Sequence, residues 1–378
     1  MSVSLLKSTL NVGSMTLLSR IFGLIRDVVI ATLFGARDHT DAFFIAFKIP
    51  NYFRRLFAEG GFSQAFVPVL TEVKTTQDQE RVKELVDHVA GTLATVLFLI
   101  TLLGILAAPV LMIIFASGFT TVEGKFELAV DMLRITFPYL LFISLTAMAG
   151  GVLNTYQRFT VPAFTPVLLN FSLIACALWL APQLERPVMA LAWGVFIAGI
   201  VQLLFQLPFL LKLKLIPRPR LDWGHSGVRK IIRLMVPTLF AGSVAQINIM
   251  IDMMIASWLV SGSISWLYYS DRLMEFPLGV FGVAIATVIL PNLSEKHAGK
   301  SPQQFSATLD WALRWVLVIG VPAALGLILL AKPMIATIFQ YGEFTADDVV
   351  MAGRSLVAYA VGLIGLILVK VLSAGFFS

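Results

Sequence analysis

The stretch SMTLLSRIFGLIRDVVIATLFG, residues 14–35, is apolar and long enough to cross a membrane as a helix, yet it contains Arg20, Arg26 and Asp27. The next apolar stretch, about residues 40–70, adds five charged side chains: Asp41, Lys48, Arg54, Arg55 and Glu59. A charged side chain at mid-bilayer costs about 2.5–3.5 kcal/mol even on insertion scales. Because a helical bundle does not need eight such side chains to fold, we expect a water-filled, net-cationic cavity for an anionic ligand.

The composition of the whole chain is typical of a membrane protein. Hydrophobic residues make up 58% of the 378 residues and charged residues 13%, and the mean hydropathy is +0.87. A soluble domain carries about 25% charged residues. No strand alternation of the outer-membrane barrel kind is present, so we expect an all-α polytopic membrane protein. Ten helices are predicted, at residues 14–35, 40–70, 88–115, 127–153, 160–181, 188–212, 231–260, 264–293, 307–331 and 347–372.

The loop charges predict the orientation of these helices. With a cytoplasmic N-terminus, the inside segments hold fourteen Lys and Arg residues, and the outside segments hold only Arg37, Lys125, Arg186 and Lys332. This is the positive-inside bias, so the pI of 9.5 indicates topology, and no nucleic-acid partner is expected. Residues 1–10 lack the cleavage site of a signal peptide.

Several kinds of chemical site are not expected. The single cysteine, Cys176, lies within a predicted helix, and the four histidines, His39, His88, His225 and His297, are scattered without metal-ligand spacing. No nucleophile motif and no glycine-rich phosphate loop is present. We therefore predict no metal site and no cofactor, and we do not expect transport driven by ATP.

A weak internal repeat predicts two lobes. A shift of 223 residues places residues 68–72 on residues 291–295, with a shared Pro-x-Leu-Ser/Thr-Glu pattern. Six helices separate equivalent points, so both copies have one orientation, as in transporters built from parallel repeats around a central site. With the boundary in the basic loop, we expect an N-lobe of helices 1–6 at residues 1–222 and a partial C-lobe of helices 7–10 at residues 223–378. Since the second copy has only four helices, the chain is either naturally short or a fragment, and we favour a fragment.

The first predicted helix carries a polar stripe. On a helical wheel, six residues fall within about 120°: Thr16, Ser19, Arg20, Gly23, Arg26 and Asp27. The alternative is that both arginines are merely neutralised by Asp27 and by neighbouring carbonyl groups. A single carboxylate cannot balance two guanidinium groups, which favours ligand binding.

The second predicted helix is harder to interpret. Asp41, Lys48, Arg55 and Glu59 share a face if the helix is straight, but we expect Pro50 to break it. The wheel therefore leaves open whether Arg54 or Arg55 faces the cavity, and we expect one of the pair to reach the membrane interface.

The second half supplies three more candidates. In the eighth predicted helix Arg272 is the cationic candidate, and Glu275, almost one turn later, is its expected partner. Asp252 has no basic residue within a turn, so it either binds a coupling cation or proton or is held by hydrogen bonds. Asp310 and Arg314 are expected to form a local ion pair.

Five segments resemble the MurJ (MviN) family of lipid II flippases, which act in bacterial peptidoglycan synthesis: residues 13–27, 40–51, 54–60, 269–277 and 339–345. The resemblance implies the fold of the multidrug, oligosaccharidyl-lipid and polysaccharide exporters, in which two lobes surround a cavity that opens alternately to either side. It also implies helices that this chain lacks, thought to hold the lipid tail.

The resemblance assigns roles residue by residue. The family's cavity arginines fall on Arg20, Arg26, Arg54 and Arg272, and Ser19 and Lys48 also match cavity positions. Its motif acids fall on Asp27, Asp41 and Glu59, of which Asp41 and Glu59 are expected to form gate pairs with the arginines when substrate is absent. Asp252 matches the first ligand of a sodium site in some members.

The implied function is transfer of lipid II from the inner to the outer leaflet of the bacterial cytoplasmic membrane by a monomer. The arginines would bind the diphosphate, and the membrane potential or a sodium or proton gradient would drive the movement. Two alternatives remain: a drug or organic-cation antiporter of the same superfamily, and a polytopic glycosyltransferase that acts on polyprenyl-phosphate substrates. The antiporter should have an acidic or aromatic cavity, and the glycosyltransferase should have catalytic carboxylates in a large external loop.

Overall fold

A computed structural model describes residues 3–55, 61–279 and 302–377, and in these ranges the regular structure is helical throughout, without strands. The helices are α1 (Val3–Phe34), α2 (Asp38–Arg54), α3 (Ser63–Thr76), α4 (Gln79–Leu106), α5 (Ala108–Ala116), α6 (Lys125–Thr136), α7 (Tyr139–Thr155), α8 (Thr160–Ala175), α9 (Met189–Lys212), α10 (Ser226–Ser257), α11 (Ser263–Pro277), α12 (Pro302–Phe339) and α13 (Ala346–Phe377). A 3₁₀ turn follows α5, and a π turn that begins at the buried Cys176 follows α8. The predicted all-α fold is confirmed.

Prolines divide two of the predicted spans. The span predicted at 88–115 is interrupted at Ala107, because Pro109 lies in the first turn of α5, where its missing N–H costs nothing. The span predicted at 127–153 is divided into α6 and α7, and Pro138 precedes the first residue of α7.

The expectation that Pro50 breaks the second helix is wrong. Pro50 is buried inside α2, and the helix continues to Arg54. A proline within a membrane helix is tolerated when neighbouring helices and local adjustments satisfy the freed carbonyl group. The regular α-helix ends in a π turn at Arg55, and residues 61–62 are also π-helical before α3 begins.

Six helical segments of the described chain are long and apolar enough to cross a membrane: Gln79–Leu106, Lys125–Thr155, Thr160–Gln183, Met189–Lys212, Gln303–Phe339 and Ala346–Ser373. Their lengths of 24 to 37 residues exceed the roughly 20 residues that span a bilayer. Helix α1 is equally long, but its membrane-length stretch contains Arg20, Arg26 and Asp27. The polar residues of the candidate site are therefore concentrated outside the most apolar helices.

The chain divides into two compact units, of which the first comprises Met1–Ile30 with Asp38–Ser261 and the second Ala31–Arg37 with Gly262–Ser378. Helix α10 thus belongs to the first unit, so this division does not coincide with the lobes predicted at 1–222 and 223–378. Those lobes stay a prediction, and residues 291–295, the second copy of the repeat pattern, lie outside the described residues.

Contacts within the first unit agree with the predicted sidedness of its loops. The backbone N–H of Arg218, in the α9–α10 connection, donates to Asp87 of α4 at 2.7 Å. The backbone N–H of Gly118 donates to the Ser257 hydroxyl at the end of α10, also within this unit, at 3.0 Å. The first contact joins two segments predicted to lie inside, and the second joins two predicted to lie outside. A buried apolar cluster contains residues of α3, α4, α7 and α10, including Val86 beside Asp87.

In the second unit, an aromatic cluster lies where the last residues of α1 meet the α12–α13 turn. Tyr269 of α11 is fully buried against the rings of Phe339 and Phe344. Gly342 has φ +56°, and a Cβ there would lie 2.2 Å from the Thr32 carbonyl oxygen, so only glycine fits this turn. Asp348 accepts hydrogen bonds from the Trp266 indole and from the backbone of Thr345, which ties α11 to the start of α13.

Candidate substrate-binding site

The charged pair of α1 is buried and bound within the first unit. Arg26 donates from Nε and Nη2 to Asp27 Oδ1 at 2.9 and 2.6 Å, and from Nη1 to Asn170 Oδ1 of α8 at 2.9 Å. The two charged residues are only 4% and 2% exposed. The Asn170 amide also donates to the Ser19 carbonyl oxygen at 3.1 Å, so one side chain joins α8 to α1 at two points.

For Arg26, this geometry is the neutralised arrangement that the sequence analysis held as its alternative. All three guanidinium nitrogens already donate to protein acceptors, and the charge is balanced by an adjacent carboxylate. The sequence analysis did not identify Asn170, which lies 144 residues from Arg26, as a partner of that arginine. An asparagine inside an otherwise apolar helix was the available signal, since such polar groups usually hydrogen-bond across helices.

Arg20 differs from Arg26. It is exposed and makes no ion pair with any residue in the described ranges. Ser19 beside it is half-buried. A Cβ on Gly23 would lie 3.7 Å from the Asn170 amide nitrogen, which is ordinary contact, so the glycine is not required for close approach.

Asp41 is paired with a lysine that the sequence analysis placed in an outside segment. Lys125 Nζ, at the start of α6, lies 3.0 Å from Asp41 Oδ2 and 2.7 Å from Asp38 Oδ1. It also lies 4.5 Å from the centre of the Phe119 ring. Asp41 and Lys125 are 1% and 5% exposed. The gate pairs predicted between Asp41 and the arginines stay a prediction, and Lys125 is the partner that the structure adds.

Asp38 completes this cluster at the start of α2. Burial alone would raise the pKa of the Asp38 carboxyl, but hydrogen bonds from Lys125 and Ser261 lower the pKa below its usual value. The cluster therefore has two carboxylates around one ammonium group. The negative charge of the two carboxylates attracts the Lys125 ammonium group and holds it in place.

The remaining candidates of α2 lie at its second half. Arg54 is half-buried and donates from Nε to Asn51 Oδ1 at 3.0 Å, whereas Arg55 is exposed. Lys48, six residues before Arg54, is half-buried. Glu59, the other predicted gate residue, lies outside the described residues.

The second unit contributes Arg272. Its guanidinium donates to the Tyr268 hydroxyl at 3.2 and 3.4 Å, and Nη1 lies 3.1 Å from Glu275 Oε2. The predicted pairing of Arg272 with Glu275 is confirmed. The side chains are 37% and 47% exposed, so the pair is accessible to solvent.

Asp252 lies on α10 and is exposed, and its role in cation coupling stays a prediction. The predicted local pair between Asp310 and Arg314 is confirmed at 2.8 Å, on exposed side chains.

The prediction that the histidines are scattered is wrong for two of the four. His88 of α4 and His225, the residue before α10, stack with ring centroids 4.6 Å apart and planes inclined by 23°. Glu84 lies one turn before His88, and ligand atoms of the three residues lie within 4.8 Å of one another. Burial and the neighbouring His88 lower the pKa of His225, which favours its neutral form.

Comparison with known proteins places these residues in a family. The family model described as lipid II flippase MurJ matches residues 30–378. A probable lipid II flippase MurJ of Vibrio cholerae is 52% identical over all of this chain and 73% of its own length. The lipid II flippase MurJ of Burkholderia cenocepacia is 47% identical over all of this chain and 74% of its own length.

Solved structures agree with this relationship. A lipid II flippase MurJ in an inward closed conformation matches with a TM-score of 0.82 and 29% identity, and covers 97% of this chain and 75% of that one. An inward-facing multidrug transporter of the MATE family matches with a TM-score of 0.69 over 97% of this chain and 85% of that one. Its identity of 13% shows a shared fold alone. By the family match and by the identity of these relatives, the chain belongs to the lipid II flippase MurJ family.

Proposed function

We propose that this chain moves lipid II from the inner to the outer leaflet of the cytoplasmic membrane, and that its arginines bind the diphosphate of that substrate. Lipid II flippase is the name of its relatives. Family membership and the apolar helices make it a multi-pass protein of the bacterial inner membrane. Movement between leaflets changes no covalent bond, so the chain is a transporter rather than an enzyme.

Arg20 is the observation that carries this proposal. An exposed arginine without an ion pair in the described chain, on a membrane-length helix, has all its donors available for a ligand. Guanidinium stays charged at every physiological pH and can grip phosphate oxygens with two parallel hydrogen bonds. A diphosphate is the part of lipid II that matches this chemistry.

Arg272 can also bind the diphosphate, because giving up its present ion pair costs little free energy. Its partner Glu275 is 47% exposed, and exposed ion pairs contribute at most about 1 kcal/mol. A phosphate oxygen can therefore replace the glutamate without a large loss. The Tyr268 ring lies 5.1 Å from the Arg272 guanidinium carbon and holds the side chain in place during such an exchange.

Arg26 has a different role in this proposal. Because its guanidinium is buried and bound to Asp27 and Asn170, it fixes α1 against α8 and supplies positive potential rather than the first contact with the substrate. Lys48 and Arg54 complete the cationic set from α2, with Ser19 as a neutral hydrogen-bonding group.

Orientation, coupling and assembly belong to the same proposal. The excess of Lys and Arg in alternate loops supports a cytoplasmic N-terminus. Asp252 is the proposed site of sodium or proton coupling, and the membrane potential contributes about 2.3 kcal/mol per charge per 100 mV. The chain acts as a monomer among membrane lipids, without nucleic acid.

The test is binding of lipid II, measured by native mass spectrometry for the unmodified chain and for Arg20→Ala and Arg272→Ala. Losing a hydrogen bond to a charged group costs about 1.5–3 kcal/mol, so we expect each variant to bind about 10- to 100-fold more weakly. A neutral polyprenol of the same length should bind all three chains equally, because it lacks the diphosphate.

Arg314→Ala is the matched control, since it removes an exposed arginine of a membrane helix that is paired only locally with Asp310. It should bind lipid II like the unmodified chain. If Arg20→Ala and Arg272→Ala also bind normally, the arginines do not hold the diphosphate and the proposed mechanism is wrong.

A further inference from the structure

The cluster of Glu84, His88 and His225 has no role in the proposed function, and its composition is that of a metal site. Glu84 and His88 are four residues apart on α4, which places both on one face of the helix. His225 reaches the same place from the α9–α10 connection. One carboxylate and two imidazoles form a common donor set for zinc and related divalent transition metals.

The backbone on both sides of His225 is fixed, so the cluster is a built feature of the fold. Asp87 accepts the N–H of Arg218 at its carboxylate and the N–H of Arg220 at its carbonyl group, at 2.7 and 3.1 Å. A Cβ on Gly91 would lie only 2.3 Å from the Arg220 carbonyl oxygen, so the connection lies directly against α4. Beyond His225, α10 continues into the buried apolar cluster.

One nitrogen atom of each ring lacks a hydrogen-bond partner in the described chain. Both Nδ1 atoms are buried without a hydrogen-bond partner. Buried polar groups in native structures are nearly always satisfied, so two unsatisfied imidazole nitrogens beside a carboxylate point to a bound ion or water.

We propose that Glu84, His88 and His225 bind one divalent transition-metal ion, with Zn²⁺ as the best match, and that the ion joins α4 to the segment leading into α10. Zinc–nitrogen bonds of about 2.0–2.1 Å place the ligand atoms of a tetrahedral site about 3.3 Å apart. The ligand atoms here lie within 4.8 Å of one another, so binding requires the side chains to draw these atoms together by at most about 1.5 Å. Water completes the fourth position.

Arg81 opposes this ion and provides a sharp test. Its Nη1 lies 2.7 Å from Glu84 Oε2, so the metal must compete with the guanidinium for that carboxylate. Removing Arg81 should therefore tighten metal binding, whereas removing any of the three ligands should weaken it. A variant that only damages the fold cannot produce tighter binding.

The experiment uses the full chain, purified without a polyhistidine tag, and titrates it with Co²⁺ followed by competition with Zn²⁺. The absorption of tetrahedral Co²⁺ reports binding directly. We expect one ion per chain. Removing a residue that only hydrogen-bonds to a metal ligand lowers metal affinity by about 10- to 100-fold. Because His88→Ala and His225→Ala each remove a ligand itself, we expect each to lose at least that much affinity. Arg81→Gln should bind several-fold more tightly. Zn²⁺ should raise the melting temperature of the unmodified chain and of Arg81→Gln, but not that of His88→Ala or His225→Ala.

His39→Ala is the control, because it removes one histidine at the start of α2, away from the cluster. It should bind Co²⁺ normally. Equal affinity in the unmodified chain, His88→Ala and His225→Ala, or no tightening in Arg81→Gln, would show adventitious binding and overturn the assignment. Lipid II binding is measured separately, so failure of this site leaves the proposed function untouched.

Discussion

Replacing Lys125 with methionine should be among the most destabilising single changes in the first unit. The Lys125 and Asp41 side chains are 4% and 1% exposed, and their charged atoms are 3.0 Å apart. Methionine fills most of the lysine volume but leaves the Asp41 carboxylate buried without its ammonium partner. Breaking a buried ion pair by removing one member costs about 3–5 kcal/mol. Asp38 adds little, because its side chain is 44% exposed and exposed pairs contribute at most about 1 kcal/mol.

The matched control is Lys230→Met. Lys230 pairs with Glu72 at 2.5 Å, but the side chains are 48% and 56% exposed, so this variant should lose less than about 1 kcal/mol. Both free energies of unfolding can be measured by SDS titration in mixed micelles, followed by tryptophan fluorescence. A double variant, Asp41→Asn with Lys125→Met, removes the buried charge and should be at least ~2 kcal/mol more stable than Lys125→Met alone.

Two results would refute this reasoning. Lys125→Met could prove no less stable than Lys230→Met, which would mean that burial of the pair has no energetic consequence. The double variant could also prove no more stable than Lys125→Met, which would mean that the cost comes from the lost contact with the Phe119 ring or from packing rather than from an uncompensated carboxylate.

Three further substitutions test the packing and the site. Gly91→Ala should lower the melting temperature and cost about 1–3 kcal/mol, because its Cβ would overlap the Arg220 backbone; Gly362→Ala, with nothing within 4 Å, should be neutral or stabilise by up to about 1 kcal/mol. Arg26→Lys should be destabilised although it keeps the charge, since one ammonium cannot serve the carboxylate and the amide that the guanidinium fork reaches; a melting temperature equal to that of the unmodified chain would contradict this. Asn170→Ala should lower the melting temperature and cost about 1–3 kcal/mol, because it leaves the buried Arg26 Nη1 donor and the Ser19 carbonyl acceptor without their partner.

Hydropathy predicted the most apolar helices well and their interruptions poorly. The span predicted at 188–212 is α9 within one residue, because nothing but length and apolar character decides it. Pro50 and Pro109 show the difficulty. Both are prolines in apolar sequence, yet Pro50 lies inside a helix and Pro109 lies in the first turn of one. Sequence does not reveal which proline has neighbouring helices that satisfy the freed carbonyl group, since that depends on tertiary packing.

The partners of the charged residues escaped prediction for a related reason. The sequence analysis sought partners within a turn of helix, which correctly found Glu275 for Arg272 and Asp310 for Arg314. Lys125 lies 84 residues from Asp41. Helical periodicity carries no information over such distances, so only the fold reveals which polar residues of different helices meet.

The described charges of the first two helices are therefore not equivalent in what they offer to an anionic ligand. Each buried arginine or lysine that lies beside a carboxylate is cancelled locally, so a count of cations overstates the positive potential that a ligand meets. Arg26 is cancelled by Asp27, and Lys125 balances Asp41. Arg20 differs because no carboxylate in the described chain balances its charge. The attraction for a diphosphate then depends on the few arginines whose charge is not balanced. The buried ion pairs instead fix the positions of the helices that carry those arginines.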